Sequence, residues 1–261
     1  MNPHNRPGGR YRRDLPVPLE RLYEHVADWE LLPHVHDRRV RRVVCEDWAA
    51  WGWRGTVTWR SGSDSEVEVV LDRQRGGWEA RVLAGAAAGT EVTTSVVPAG
   101  ADHVTLTAVF RLPQDQPGDV ERAARALARW HDGFYDTAVA VMRQRQAQLD
   151  RRVDRAREAE RELDLGPRRQ LQVPLAFELG GREFVLVELA SELVAFPRRC
   201  PHQLGPLSAD ALNGAVVTCP WHGYRFDVRT GENLSGRVCR LSHLPRVDVG
   251  ADARVRVTAT H

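Results

Sequence analysis

The sequence contains no lysine: all 37 basic residues are arginine, set against 35 acidic ones. The arginines are spread along the chain and interleaved with Asp and Glu. No basic stripe or lopsided segment therefore marks a nucleic-acid-binding face, and an all-arginine composition reads as coding bias. Long apolar runs are missing as well. No window approaches the ~18 consecutive apolar residues of a membrane span. The first stretch, MNPHNRPGGRYRRDLP, is basic but lacks the apolar core of a secretory signal, so the expected location is the cytoplasm. Cysteine is scarce, with only Cys45, Cys200, Cys219 and Cys239. That is too few, and too dispersed, for a disulfide framework. No glycine-rich dinucleotide fingerprint follows a strand, because GAAAG and RGGW lack that context.

What is present divides into two parts. PLERLYEHVADWELL (18–32) reads as helix, with Leu19, Leu22, Tyr23, Val26 and Trp29 on one face. Strand candidates follow at 39–45, 51–59, 66–71, 78–83, 91–97 and 103–111. In the last of these Val104, Leu106, Ala108 and Phe110 alternate with polar neighbours, as in an antiparallel sheet covered on one face. A long helix opens after Asp119, a plausible N-cap. Its apolar stripe runs through Val120, Ala124, Leu127, His131, Phe134, Ala138 and Val141. A helix of that length laid across a curved sheet leaves a concave apolar site suited to a small molecule. Residues 150–170 are dense in opposite charges and read as a helical extension and linker ending at Gly166-Pro167. From 171 to 258 the strands are short and turns frequent, which predicts a small all-β module with hairpins at Gly180-Gly181 and Asp248–Asp252. The fold class is α+β, with domains expected over 10–149 and 171–258.

Within the second part, Cys200-Pro-His202 and Cys219-Pro-Trp-His222 pair soft with borderline ligands across sixteen intervening residues. Two such pairs could make a Cys₂His₂ zinc site. Both, however, sit on loops between short strands, and no recognition helix carries the second pair. Each loop supplies one thiolate and one imidazole. A [2Fe–2S] cluster that keeps two thiolates on one iron and two imidazoles on the other needs that set. Cys200 and Cys219 would hold the inner iron, His202 and His222 the outer one nearer solvent. Cys239 and Cys45 lie outside both loops and read as small buried hydrophobes.

The stretch CPHQLGPL…CPWHGYRFDVRTGE resembles a Rieske domain. Gly205 and Trp221 stand where disulfide-bonded Rieske proteins carry a further Cys, so the likeness is to the Rieske ferredoxins and to the Rieske domains of ring-hydroxylating oxygenases. Tyr224 is a candidate hydroxyl donor near the cluster. The first part resembles the START/SRPBCC helix-grip fold, an antiparallel sheet wrapped on a long C-terminal helix. The features that carry it are PVPLERLYEHVADWELLPHVH and the helix from Val120. Oxygenase catalytic domains share that fold and hold a mononuclear non-haem iron between two His and a carboxylate. Here the candidates are His34, His36 and His131 with Asp132 and Asp136, but the expected Asp-x-x-His spacing and the acidic pair of the last helix are missing. The Rieske domain also comes second rather than first. The resemblance implies single-electron transfer from an external reductase or ferredoxin toward a hydrophobic organic substrate, and a homotrimer if the chain is an oxygenase. Two alternatives are a redox-linked ligand-binding protein without mononuclear iron and an aromatase/cyclase-like enzyme using His131, Tyr135 and Asp132 as acid–base groups.

Overall fold

The computed structural model describes residues 5–113, 119–151 and 159–260. The chain divides into two compact units, residues 1–146 and 147–261. Among the described residues no helix is long and apolar enough to cross a membrane.

The first unit opens on strand β1 (Asn5–Leu15), followed by helix α1 (Leu19–Ala27) and the short helix α2 (Leu32–Val35). The helix expected over 18–32 is therefore broken. Asp28 leaves helical geometry and its Oδ1 accepts the Leu31 N–H at 3.2 Å, capping a single 3₁₀ turn. Pro33 then sits in the first turn of α2, where its missing N–H costs nothing. Six strands follow: β2 (Val40–Ala49), β3 (Gly52–Trp59), β4 (Asp64–Asp72), β5 (Gly77–Gly85), β6 (Glu91–Pro98) and β7 (Val104–Pro113). With β1 they form one antiparallel sheet in the order β1-β7-β6-β5-β4-β3-β2. The 31-residue helix α3 (Val120–Asp150) completes the unit, and Asp119 Oδ1 accepts the Glu121 N–H at 2.9 Å at its start.

The α3 stripe is shifted from the one expected. His131, Tyr135, Ala138 and Met142 are the buried residues, at i+4, i+3 and i+4 spacing, while Phe134 and Val141 are only partly covered. The inward face of β7 meets this core through Val104, Leu106, Ala108 and Phe110, all buried. Strand β1, in a stretch for which no strand was expected, carries a bulge at Pro7/Gly9. Gly9 has φ +121°, and a Cβ there would stand 2.8 Å from the Ala124 Cβ, so a side chain would be strained and crowded against α3. The sheet stays open, leaving β1 and β2 as edges. Trp48 on β2 is 69% exposed.

The second unit is built from three small sheets. Strands β8 (Glu162–Pro167), β15 (Arg246–Val249) and β16 (Arg254–Thr258) form one, in the order β15-β16-β8. The others are β11-β10-β9, from β9 (Leu175–Leu179), β10 (Arg182–Leu189) and β11 (Glu192–Pro197), and β12-β13-β14, from β12 (Leu212–Asn213), β13 (Val216–Thr218) and β14 (Arg225–Asp227). This corrects the reading of 150–170 as helical linker. Residues 162–167 pair antiparallel with β16, burying Leu163 and Leu165 against Leu179, Phe184 and Val257. Positions 152–158 of that stretch lie outside the described residues.

Phe110 is fully buried between sheet and α3. Phe110→Ala should cost about 3–5 kcal/mol through lost burial and a residual cavity. Chemical denaturation followed by tryptophan fluorescence would measure it, and a cost below about 1 kcal/mol would show that the core collapses around the gap.

Candidate functional site

Cys200 follows β11 and Cys219 follows β13, each at the start of a tight loop. The two loops share one hydrogen-bond pattern. Cys200 N–H donates to Gly205 O (2.8 Å) and Leu204 N–H returns to Cys200 O (3.0 Å). Cys219 N–H donates to Tyr224 O (2.8 Å) and Gly223 N–H returns to Cys219 O (2.9 Å). In both, the residue four past the Cys is left-handed: Leu204 at φ +64° and Gly223 at φ +67°. A leucine there is uncommon and costs conformational energy, so the first loop is held in shape by its contacts. The shared turn puts the His of each loop beside its Cys. The rings of His202 and His222 come together, centroids 4.5 Å apart. Both sulfurs are buried and hydrogen-bonded to each other. In this pair Cys219 is the thiol shifted down. The Cys200 thiol and, less strongly, the His222 side chain and the N–H groups of Trp221 and His222 hold it below the usual thiol range. Cys200 is pushed up, by sharing its proton with Cys219 and by burial.

The surroundings fit closely around this pair. A Cβ on Gly205 would stand 2.9 Å from the Cys219 sulfur and 3.0 Å from the Trp221 ring. Tyr224 is buried and stacks on His202 at 4.7 Å, with the Arg237 guanidinium 5.6 Å above its ring. His222 is buried and His202 half-exposed, so the opening to solvent lies on the His202 side. Cys239 is half-exposed rather than buried, and its sulfur accepts from Asn233 Nδ2 at 3.4 Å. Cys45 is half-buried, its thiol directed at Asp47 O (3.3 Å).

In the first unit a cavity of about 720 Å³ lies between the sheet and α3. Its walls are Trp53, Val57 and Trp59 of β3, Val67 and Val69 of β4, Trp78 of β5, and Leu127, Trp130, Phe134 and Tyr135 of α3. His25 of α1 lines it and meets a second imidazole, the two Nε2 atoms of His25 and His36 standing 3.1 Å apart. His36 is 2% exposed and stacks on Phe134, centroids 3.9 Å apart and planes 11° from parallel. Burial, the neighbouring His25 and Arg39 lower its pKa from 6.5 to about 3, so it is neutral near pH 7.

Residues 160–242 match the family model described as the Rieske [2Fe–2S] domain. This segment is a Rieske domain. It implies a [2Fe–2S] cluster and supports an electron-transfer function for the chain. No curated protein matches the chain. Among solved structures, the Zhui aromatase/cyclase of Streptomyces sp. R1128 is similar to 55% of this chain over 96% of its own, at 12% identity and TM-score 0.47. A START superfamily protein from Mycobacterium smegmatis is similar to 52% of this chain over 97% of its own, at 14% identity and TM-score 0.42. The ferredoxin of carbazole 1,9a-dioxygenase from Nocardioides aromaticivorans IC177 is similar to 38% of this chain over 99% of its own, at 26% identity and TM-score 0.31.

The residues of the Rieske domain suit its cluster. Two buried thiols in contact and two adjoining imidazoles, one of each per loop, make the required donor set, and Gly205 leaves room beside the sulfur. The mononuclear iron does not fare the same way. His36 is turned toward His25 and Phe134, while His34 is on the exposed side of α2. His131 directs Nδ1 at Leu127 O, 2.8 Å away. Asp132 and Asp136 are exposed and face β1: Tyr11 Oη donates to Asp132 (2.9 Å) and Arg13 pairs with Asp136 (2.6 Å). Among the described residues no three His, Cys, Asp or Glu side chains are placed to hold a single metal ion. The five candidates do not form a two-His, one-carboxylate set. His25, the partner that His36 does have, was not among them, although it lies within the turn between Leu22 and Trp29 of the apolar helix face.

The neutral His36 couples stability to pH. Between about pH 6.5 and about 3 the unfolded chain binds a proton here that the folded chain refuses. Stability should therefore rise with pH through that window, by up to about 1.4 kcal/mol per unit from this group. His36→Gln should reduce the slope between pH 5 and 6.5 by about that amount in denaturation curves. An unchanged slope would show that His36 titrates normally.

Proposed function

We propose that the chain is a Rieske electron-transfer protein in which Cys200, His202, Cys219 and His222 hold the cluster and the N-terminal cavity binds a hydrophobic organic molecule. The observation that carries the reading is the matched pair of loops, which brings two buried sulfurs into contact and sets both imidazoles beside them. When bound, the cluster supplies single-electron transfer. The protein's part is to keep that centre dry and to tune it. The N–H groups of His202, Trp221 and His222 donate to the sulfurs and favour the charged thiolates. Leu207, Val217 and Phe226 are buried in the same unit.

Electrons must come from outside, because the sequence has no dinucleotide fingerprint. A separate reductase or ferredoxin serves, docking over half-exposed His202 rather than over both imidazoles. The oxygenase form of the reading calls for an iron in the cavity, and the candidate ligands point elsewhere. The redox-linked ligand-binding form therefore has the stronger support. The acid–base alternative loses Asp132, which faces Arg13 and Tyr11 on the surface.

Two measurements test this. Anaerobically purified protein should contain iron and acid-labile sulfide in equal amounts, and a ratio near three to two would restore the mononuclear site. His202→Cys should move the reduction potential out of the Rieske range of roughly −150 to +300 mV toward the about −400 mV of all-thiolate clusters. An unchanged potential and visible spectrum would remove His202 from the ligand set.

A further inference from the structure

The cavity has an uneven charge. Its charged and imidazole-bearing lining residues are Arg38, Arg39, Arg60, Arg81, His25 and His131, and no described Asp or Glu lines it. Arg81 is neutralised on β5 by Glu79 and by Glu68 (3.4 Å). The remaining three arginines are grouped at one end. Arg38 and Arg39 lead into β2, Arg60 follows the end of β3, and Arg60 N–H donates to Arg39 O at 2.8 Å across the pair. Arg60 also donates through Nε to the Asp37 carbonyl. Among the described residues no carboxylate forms an ion pair with Arg38, Arg39 or Arg60, in a cavity walled largely by aromatic and aliphatic side chains.

Arg39 is placed by the helix opposite. A Cβ on Gly133 of α3 would stand 2.0 Å from the Arg39 Nη2 atom. Glycine weakens a helix interior, and here its bare backbone is where the guanidinium lies. Three arginines without a carboxylate partner leave an excess of positive charge at this end of the cavity, Arg38 and Arg60 exposed and Arg39 partly covered. An oxyanion brought among them offsets it and accepts charge-assisted, fork-shaped hydrogen bonds.

We propose that the cavity takes an amphipathic organic anion, its apolar body against the tryptophans and its single oxyanion group, carboxylate or phosphate, held by Arg38, Arg39 and Arg60. This rests on the reading of the cavity as a site for a hydrophobic molecule. It adds the class of ligand.

Calorimetric titration of the full-length protein with decanoate, monodecyl phosphate, 1-decanol and decylammonium tests it. Both anions should bind at least about tenfold tighter than decanol, the gain expected from charged hydrogen bonds, and decylammonium should bind weakest. The tighter of the two anions identifies the head group. The double variant R38A/R60A changes two exposed side chains and should erase the preference for the anions over decanol. G133A should move the Arg39 head aside and reduce the anion preference, with a melting temperature equal to or above the parent's. Decanol binding as tightly as the anions would overturn the proposal and leave the hydrophobic site standing. Failure of all four ligands would overturn both.

Discussion

Two sulfurs buried side by side carry charge only where surrounding donors or a metal favour it. The second unit is organised around that demand. Cys200 and Cys219 are reached from two different sheets, so their contact requires β11 and β13 to end at matched positions. Each sheet is short, with strands of only two to eight residues, and small sheets of this kind have little independent stability. The two turns are copies of one another in hydrogen bonding and in the left-handed fourth residue. Geometry at the sulfurs and integrity of the unit are therefore one problem. A ligand that binds only the folded donors adds its binding free energy to folding.

The first unit meets a different constraint. Seven strands and one long helix bury a core on one side of the sheet but do not fill it, because large rings on β3, β5 and α3 stand apart rather than interlock. The result is a cavity whose walls are apolar and whose charge is almost entirely arginine. The two imidazoles packed beneath it satisfy each other at Nε2, while Nδ1 of His36 is buried without a hydrogen bond to a described residue. A polar atom in that condition is uncommon in a folded interior. It distinguishes this pair from an ordinary core contact.

Much of this was legible in the residues. Alternation in Val104–Phe110 and i, i+3, i+4 spacing along α3 are strong periodic signals, and they located the sheet and its helix. The Cys-x-His and Cys-x-x-His spacings drew the four donors together because each pair spans one turn. What the sequence hid was hidden for identifiable reasons. Strand β8 has only Leu163 and Leu165 to alternate, within a run of charges that reads equally well as helix. Asp132 and Asp136 looked available because their partner, Arg13, lies more than a hundred residues earlier. The break at Asp28 depended on one side chain accepting one N–H, which periodicity does not register. The arginine cluster was lost in the even spread of arginine along the chain.

The open sheet gives that spread a second meaning. Strands β1 and β2 end the sheet with unpaired backbone groups, the surface on which chains most readily add to one another. β1 carries Arg6, Arg10, Arg12 and Arg13 with Pro7, and β2 carries Arg41, Arg42, Glu46 and Asp47 around an exposed Trp48. Two copies meeting along β1 would bring like charges into register, and the bulge at Pro7/Gly9 would spoil the ladder besides. The same arginines that obscure the cavity in the sequence act as gatekeepers at the sheet's rims. Charged side chains and a bulge at an open edge are the features by which proteins discourage edge-to-edge pairing.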